Sequence, residues 1–298
     1  MVAPNIREAE IQTARYFNMF QRAGMIGNFN GNFRLASVTE LDEALKLVEN
    51  CFVQAGYIQP SKFGMRVRPY DVLPEMDTFL TSQNMALSGV MSVLPDSELG
   101  LPSDHVFEDE INSLRKNGSV AEITNLALDT RFRKTPTLLE LVRGVYADAR
   151  TRNLDYLFIS ICPGHTGAFT HLLGFQSFGI IKNYSQTPGI EDPVEAMVLN
   201  MKTISTFRTD SDRITGTSFF TDFFITQNPY LRLIPFWREN ARREFYNPDI
   251  LRQLVVDTEA INSFSEKEKE LLQNRWGKTV YEQVTKNLER YPQELIAA

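Results

Sequence analysis

A chain of 298 residues, 43% of them hydrophobic, can bury one substantial core and a smaller appendage, which excludes a long series of domains. Its formal net charge of -6, with 23% charged residues, lacks the broad basic field that binding to nucleic acid demands, so DNA and RNA are not expected as partners.

Residues 6–22 read as a short amphipathic helix, followed by a Gly/Asn-rich hinge at 24–32 that breaks it. A strand is expected over Phe33–Ala36. Ser37 or Thr39 then caps a helix with Leu41, Ala44, Leu45, Val48, Cys51 and Phe52 at helical spacing, ending near Gly56. Asn84–Leu94 and Val120–Leu128 read as strands, with an acidic helix over Asp104–Leu114 between them. A polar loop, Arg131–Thr135, opens a long helix from Pro136 to about Arg152. Leu154–Ile161 is an apolar run of strand length, His165–Leu173 a short helix closed by Gly174-Phe175, and Phe175–Tyr184 and Val194–Met201 two more strands. From Thr203 onward only helices are expected. The sum is an α/β mixed sheet with helices on both faces, in three parts: a helical arm and hinge (1–32), the α/β core (33–202) and a helical annex (203–298).

Cys51 and Cys162 lack the close Cys/His spacing of a zinc site or a disulfide framework, so no metal is called for. With no apolar signal core and no run long enough to span a bilayer, a cytoplasmic protein is expected, with peripheral membrane contact left open.

The chemistry concentrates in two units. In the first, a strand feeds Arg131, Phe132, Arg133, Lys134 and Thr135 into a helix N-terminus, where unpaired backbone N–H groups and added positive charge suit a phosphate. The same loop can be a solvated basic turn capped by Thr135. The second unit is the strand Leu154–Ile161 with the segment Cys162-Pro163-Gly164-His165 through Leu173-Gly174-Phe175.

A strand leading through an Arg-rich loop into a helix, then a strand and a short helix ending in Leu-Gly-Phe, resembles the two central motifs of the GNAT acyltransferase superfamily. The glycine-rich turn usual in acetyl-coenzyme A users is replaced by Arg131-Phe132-Arg133-Lys134-Thr135-Pro136. Gly56-Tyr57-Ile58, Leu101-Pro102 with Phe107 and Glu110, and Ala121-Glu122-Ile123-Thr124-Asn125-Leu126-Ala127-Leu128-Asp129 are similar to the branch of long-chain N-acyl amino acid synthases and acyl-homoserine-lactone synthases. The resemblance spans roughly residues 35–201 and leaves the annex unexplained.

It implies a GNAT-like core that moves a long acyl group from an acyl carrier protein or coenzyme A thioester, as co-substrate, to the amine of an amino acid or similar small molecule, with no permanently bound cofactor. A lactone-synthase-like signal synthase and a non-catalytic acyl-thioester or lipid sensor are the alternatives. The lactone synthases resemble a pattern with arginine where Asn125 stands, which leaves Glu122 without that partner.

The resemblance also implies that a backbone N–H near Leu126–Leu128 polarises the thioester carbonyl and that Glu122 is the base. Glu122 can equally be an exposed strand carboxylate or a salt-bridge partner of a loop arginine. Glu110 is a second candidate base or a helix-face charge, and His171 a proton donor to the leaving thiolate or a surface residue. Cys162 reads as structural. Arg131, Arg133, Lys134, Arg143, Arg150 and Arg152 together suggest a docking patch for an acidic carrier. The rings of Phe219, Phe220, Phe223 and Phe224 fall on one helical face, suited to docking on the core, lidding an acyl tunnel or touching a membrane. Oligomeric state is not legible.

Overall fold

The computed structural model describes residues 6–187 and 190–286. Helix α1 (Ile6–Arg22) precedes strand β1 (Asn32–Leu35). A single turn capped reciprocally by Ser37 and Glu40 leads into α2 (Leu41–Ala55), which stops where Gly56 takes the left-handed conformation at φ 82°. Strands β2 (Asp77–Gln83) and β3 (Ala86–Pro95) form a hairpin, followed by α3 (Asp104–Arg115), β4 (Val120–Leu128), α4 (Thr137–Thr151) and β5 (Tyr156–Ile161). Helix α5 (Thr166–Ala168) widens into a π-turn over Phe169–Leu173, then come β6 (Gln176–Ser177), β7 (Lys182–Thr187) and β8 (Ile190–Asn200). The remaining described chain is helical: α6 (Ile204–Thr215), α7 (Phe219–Thr221) widening into a π-turn over Asp222–Thr226, α8 (Tyr230–Phe245), α9 (Pro248–Val255), α10 (Glu266–Trp276) and α11 (Lys278–Thr285).

The sheet runs β1-β2-β3-β4-β5-β8-β6, with β7 paired to β8. Only β4 and β5 are parallel among the described pairs. One face carries α2, α3 and α9–α11 over Leu45, Phe107, Phe158, Leu251, Leu272 and Trp276. The other carries α1, α4 and the segments from α6 to α8 over Phe17, Leu141, Phe175, Phe220, Phe224 and Ile234.

Three departures from the sequence reading have local causes. The strand β2 went unread, and the strand expected over 84–94 starts at Ala86, because Asn84 and Met85 turn left-handed at φ 51° and 62° to close a two-residue hairpin. Met in place of the usual glycine hides that turn. The strand expected over Phe175–Tyr184 is interrupted between β6 and β7, where Gly179 has φ 107° and a Cβ would stand 2.7 Å from the Glu110 carboxylate. The N-terminal helix, expected to stand apart, buries Phe17 and Phe20, with the Phe17 ring 5.6 Å from that of Phe220.

Phe220 and Phe224 are fully buried, so the phenylalanine stripe docks on the core, each ring contributing on the order of 2 kcal/mol. Asp212 accepts from the backbone N–H groups of Phe220 and Thr221 at 2.7 and 2.9 Å and fixes the start of that segment. A buried four-residue cluster ties α8 to the sheet. Asp77 accepts from Arg238 at 2.7 Å and from Arg152 at 2.5 Å, while Asp148 contacts both arginines. Burial and the neighbouring Asp77 carboxylate push Asp148 upward, while the two guanidinium groups hold Asp77 low against its own burial. Arg238→Ala leaves two buried carboxylates with one guanidinium. It is expected to lower the unfolding free energy by about 3 kcal/mol or more, measured by urea titration.

Candidate active site

Strands β4 and β5 pair over only three positions, Val120–Tyr156, Ala121–Leu157 and Glu122–Phe158. Beyond them β4 stays with β3 as far as Leu128, and β5 stays with β8 as far as Ile161, so the two parallel strands part. A bulge in β4 adds to the opening: Thr124 pairs with Ser92 and Ala127 with Val90, leaving Asn125 and Leu126 opposite Met91. Asn125 takes a left-handed φ of 55° there. An extra residue in a ladder leaves backbone groups without their strand partner, and bulges re-aim the chain next to sites.

Glu122 sits at the point of parting and is only 2% exposed. Its carboxylate lies at the start of α3, accepting from the Ser103 backbone N–H at 3.0 Å and from the Ser103 hydroxyl at 2.7 Å. Ser103 holds the cap position of α3, yet its hydroxyl makes no bond to that helix because it is turned to Glu122. The same hydroxyl lies 3.0 Å from Ser160 Oγ on β5, which is half-buried where the strands diverge. Burial pushes the Glu122 carboxyl up to about 7, against the lowering effect of Ser103 and of the Arg68 charge.

Behind Glu122 lies a polar knot. Arg68 binds Asp71 at 2.8 Å, Asn125 Oδ1 at 2.9 Å and Thr124 Oγ1 at 3.2 Å, and Asn125 donates in turn to Asp71 at 2.9 Å. The bulge is what lets Thr124 and Asn125, adjacent in sequence, both turn to Arg68. Although burial acts the other way, Arg68 holds the Asp71 carboxyl below the usual carboxylate range. Arg68, from the segment ahead of β2, thus brings a cation to Asn125.

The two thiols lie at the ends of the parted strands, Cys51 reaching β4 from α2 and Cys162 directly following β5. Cys51 donates to the Leu128 carbonyl at 3.4 Å, and Cys162 lies 3.0 Å from the Tyr57 hydroxyl. That bond, with burial, pushes Tyr57 up to about 12. At the head of α4 the Thr135 hydroxyl donates to the Phe132 carbonyl at 2.7 Å and accepts from Gln83 at 3.1 Å, so the loop is anchored to the β2–β3 hairpin. Arg131 is paired with Asp129 at 2.7 Å and stacks over Phe132, while Arg133 and Lys134 are exposed.

The other expected groups lie elsewhere. Glu110 is bound by Lys182 at 2.9 Å on the β7 side of α3. His171 stacks on Tyr16 of α1 with ring centres 5.3 Å apart, and burial pulls it down toward the neutral form. The arginines expected to form one docking patch are divided: Arg143 donates to the Gln227 carbonyl at 2.6 Å, Arg152 is committed to Asp77 and Asp148, and only Arg150 of that helix is exposed. Sequence reasoning missed Ser103, Ser160 and Arg68. Ser160 carried a signal, as the one aliphatic hydroxyl inside an apolar strand. Ser103 has the sequence position of an ordinary helix cap and so carries no distinguishing signal, and Arg68 stands in a segment without periodicity.

A sheet whose central parallel strands part beside a buried carboxylate, with a basic loop leading into the following helix, defines a GNAT-type N-acyltransferase. The family comparison agrees. The chain belongs to the family of the N-acyl amino acid synthase FeeM, whose model matches residues 43–200, just over half of its length. The solved structure of FeeM from uncultured soil microbes is 27% identical, with a TM-score of 0.50, over 60% of this chain and 94% of that one. The coenzyme A-dependent acyl-homoserine lactone synthase BjaI is 14% identical over 63% of this chain and 90% of its own, with a TM-score of 0.44. An acyl-CoA N-acyltransferase from Pseudomonas aeruginosa is 15% identical over 57% and 99%, with a TM-score of 0.41. No curated protein sequence matches the chain. Among the described residues no helix is long and apolar enough to cross a membrane.

The raised carboxyl of Glu122 has a sign that can be checked. Its folded value near 7 lies above the ordinary 4.5, so the folded state holds the proton more tightly and loses stability as pH rises through that window. Glu122→Gln removes this loss. The variant's stability relative to wild type is expected to improve between about pH 5 and about pH 8, read from denaturant midpoints at each pH.

Proposed function

We infer that this enzyme transfers a long-chain acyl group from the thioester of an acyl carrier protein or of coenzyme A to the α-amine of an amino acid. The observation that carries the reading is the buried Glu122, held near neutrality where β4 and β5 part. An α-amine with a pKa of about 8 is mostly protonated at neutral pH, and a carboxylate tuned near 7 is matched to removing its proton.

The thioester carbonyl lies between the parted strands, where a backbone N–H released at the Asn125–Leu126 bulge stabilises the developing oxyanion. Its phosphate end rests at the head of α4, beside Arg133 and Lys134. Attack by the amine forms the C–N bond, collapse of the adduct breaks the C–S bond, and the thiol departs, with no acyl-enzyme in between. The enzyme works in the cytoplasm, where such thioesters are made.

The test is intact-mass analysis of products after incubation with palmitoyl-coenzyme A or palmitoyl-carrier protein and a pool of amino acids. An acylated amino acid is expected, and the better donor names the carrier. Glu122→Gln should lower turnover by about a hundredfold or more while thioester binding persists, and wild-type turnover should rise with pH through about 7. Tight thioester binding with no product from any amine would instead identify a sensor.

A further inference from the structure

Glu122 is almost wholly enclosed, so an amine in the gap between the strands has no direct path to its carboxylate. The hydrogen bonds around it supply a route and fix its direction. A carboxylate carries no hydrogen, so the 2.7 Å bond between Ser103 Oγ and Glu122 Oε1 consumes the single hydroxyl proton of Ser103. In the 3.0 Å contact between Ser103 Oγ and Ser160 Oγ the donor must then be Ser160. The Ser160 oxygen is left with lone pairs only. It is half-buried on β5, two residues past the last position paired with β4, on the side where the strands open.

An ordinary capping serine turns its hydroxyl to the N–H groups of its own helix. Ser103 does not, and α3 begins without a side-chain cap. A stabilising bond typically worth about 1 kcal/mol is thus forgone. Its own backbone N–H is also given to Glu122, so the whole residue is oriented on the carboxylate.

We propose that Ser160 and Ser103 form a two-hydroxyl proton relay that carries the amine's proton from the gap to Glu122. The ammonium's proton passes to Ser160 Oγ, that of Ser160 to Ser103 Oγ, and that of Ser103 to Glu122 Oε1, which frees the nitrogen lone pair for attack; as the C–N bond forms, the second nitrogen proton leaves to water. When the C–S bond breaks, the thiolate leaves with the electron pair and takes a proton from water, and Glu122 returns its proton to solvent through the same chain. The charged and titratable groups facing Glu122 are Arg68 and Tyr70 from the segment ahead of β2, Asp104 of α3 and Tyr184 of β7. Among the described residues none of these groups is hydrogen-bonded to Glu122, so its hydrogen-bonded route runs through Ser103.

The relay rests on the reading of Glu122 as the base, and the experiment separates the two. Ser160→Ala, Ser103→Ala, Ser160→Thr and Glu122→Gln are compared in the full-length enzyme with the acyl thioester and amine that wild type uses, each first checked for thioester binding and thermal unfolding. Ser160→Ala, at a half-buried position, is expected to fold and bind thioester normally, to keep its KM for the thioester, and to lose about a hundredfold in kcat. Its pH–rate midpoint stays where Glu122 sets it. Ser160→Thr, which keeps a hydroxyl, recovers most of the lost turnover. A proton inventory in mixed light and heavy water should be curved in wild type, from several protons in flight, and linear in Ser160→Ala. If Glu122→Gln is inactive while Ser160→Ala keeps wild-type kcat and the curved inventory, the relay is wrong and the base acts without it. If Glu122→Gln itself retains turnover, the base assignment falls and the relay with it.

Discussion

The site depends on keeping one carboxylate out of water without letting it stay neutral. Glu122 has neither exposure nor a direct ion pair; what stabilises its charge is a backbone N–H and a hydroxyl, both from Ser103 at the start of α3, with the Arg68 guanidinium further off. Arg68 is itself largely neutralised by Asp71, so its pull on Glu122 is moderate. On the proposed reading of Glu122 as the base, a stronger cation would drop it to an ordinary carboxylate, too weak a base for an amine. Removing it would leave the group protonated. The polar knot of Arg68, Asp71, Thr124 and Asn125 is therefore part of the tuning as well as the packing, and the β4 bulge makes that knot geometrically attainable.

The helices beyond residue 203 are built into the same molecule as the sheet. They cover both faces: α6 to α8 lie on the side of α1 and α4, and α9 to α11 on the side of α2 and α3. Arg208 shows how closely the annex is coupled to the site's surroundings. Fully buried on α6, it donates to the carbonyls of Leu172 and Leu173 at 2.7 and 3.2 Å and lies 3.8 Å from the centre of the Phe224 ring. It thus satisfies the backbone at the end of the π-turn that follows β5, where a widened helix leaves carbonyls exposed.

Much of this could be read from the residues, and what could not has a physical reason. Helical spacing in α2 and α4, a capping residue at Ser37 or Thr39 and the apolar run of β5 are local signals, and each marked its element. The basic loop stood out by its charges ahead of a helix N-terminus, and Glu122 by the resemblance of its strand to the family's. The hairpin of β2 and β3 escaped because its turn uses Asn84-Met85, in which the second residue pays a steric penalty that local statistics disfavour. Arg68, Ser103 and Ser160 come from three separate segments, and only the tertiary fold places them around one carboxylate. The burial of Glu122 was equally hidden, since alternation along β4 says which side a residue faces but not that α3 closes over it.

The indole of Trp276 donates to the carbonyl of Val72 at 2.9 Å, across 204 positions of sequence, and the cluster around it holds Leu45, Phe107 and Phe158 together with Leu251 and Leu272. A nascent chain leaves the ribosome in order, so the strands and α2 and α3 emerge well before the helices that shield that face. During this interval a wide apolar surface has only solvent against it. Contacts so distant in sequence are slow to form, and a partly covered sheet is prone to stick to others like it.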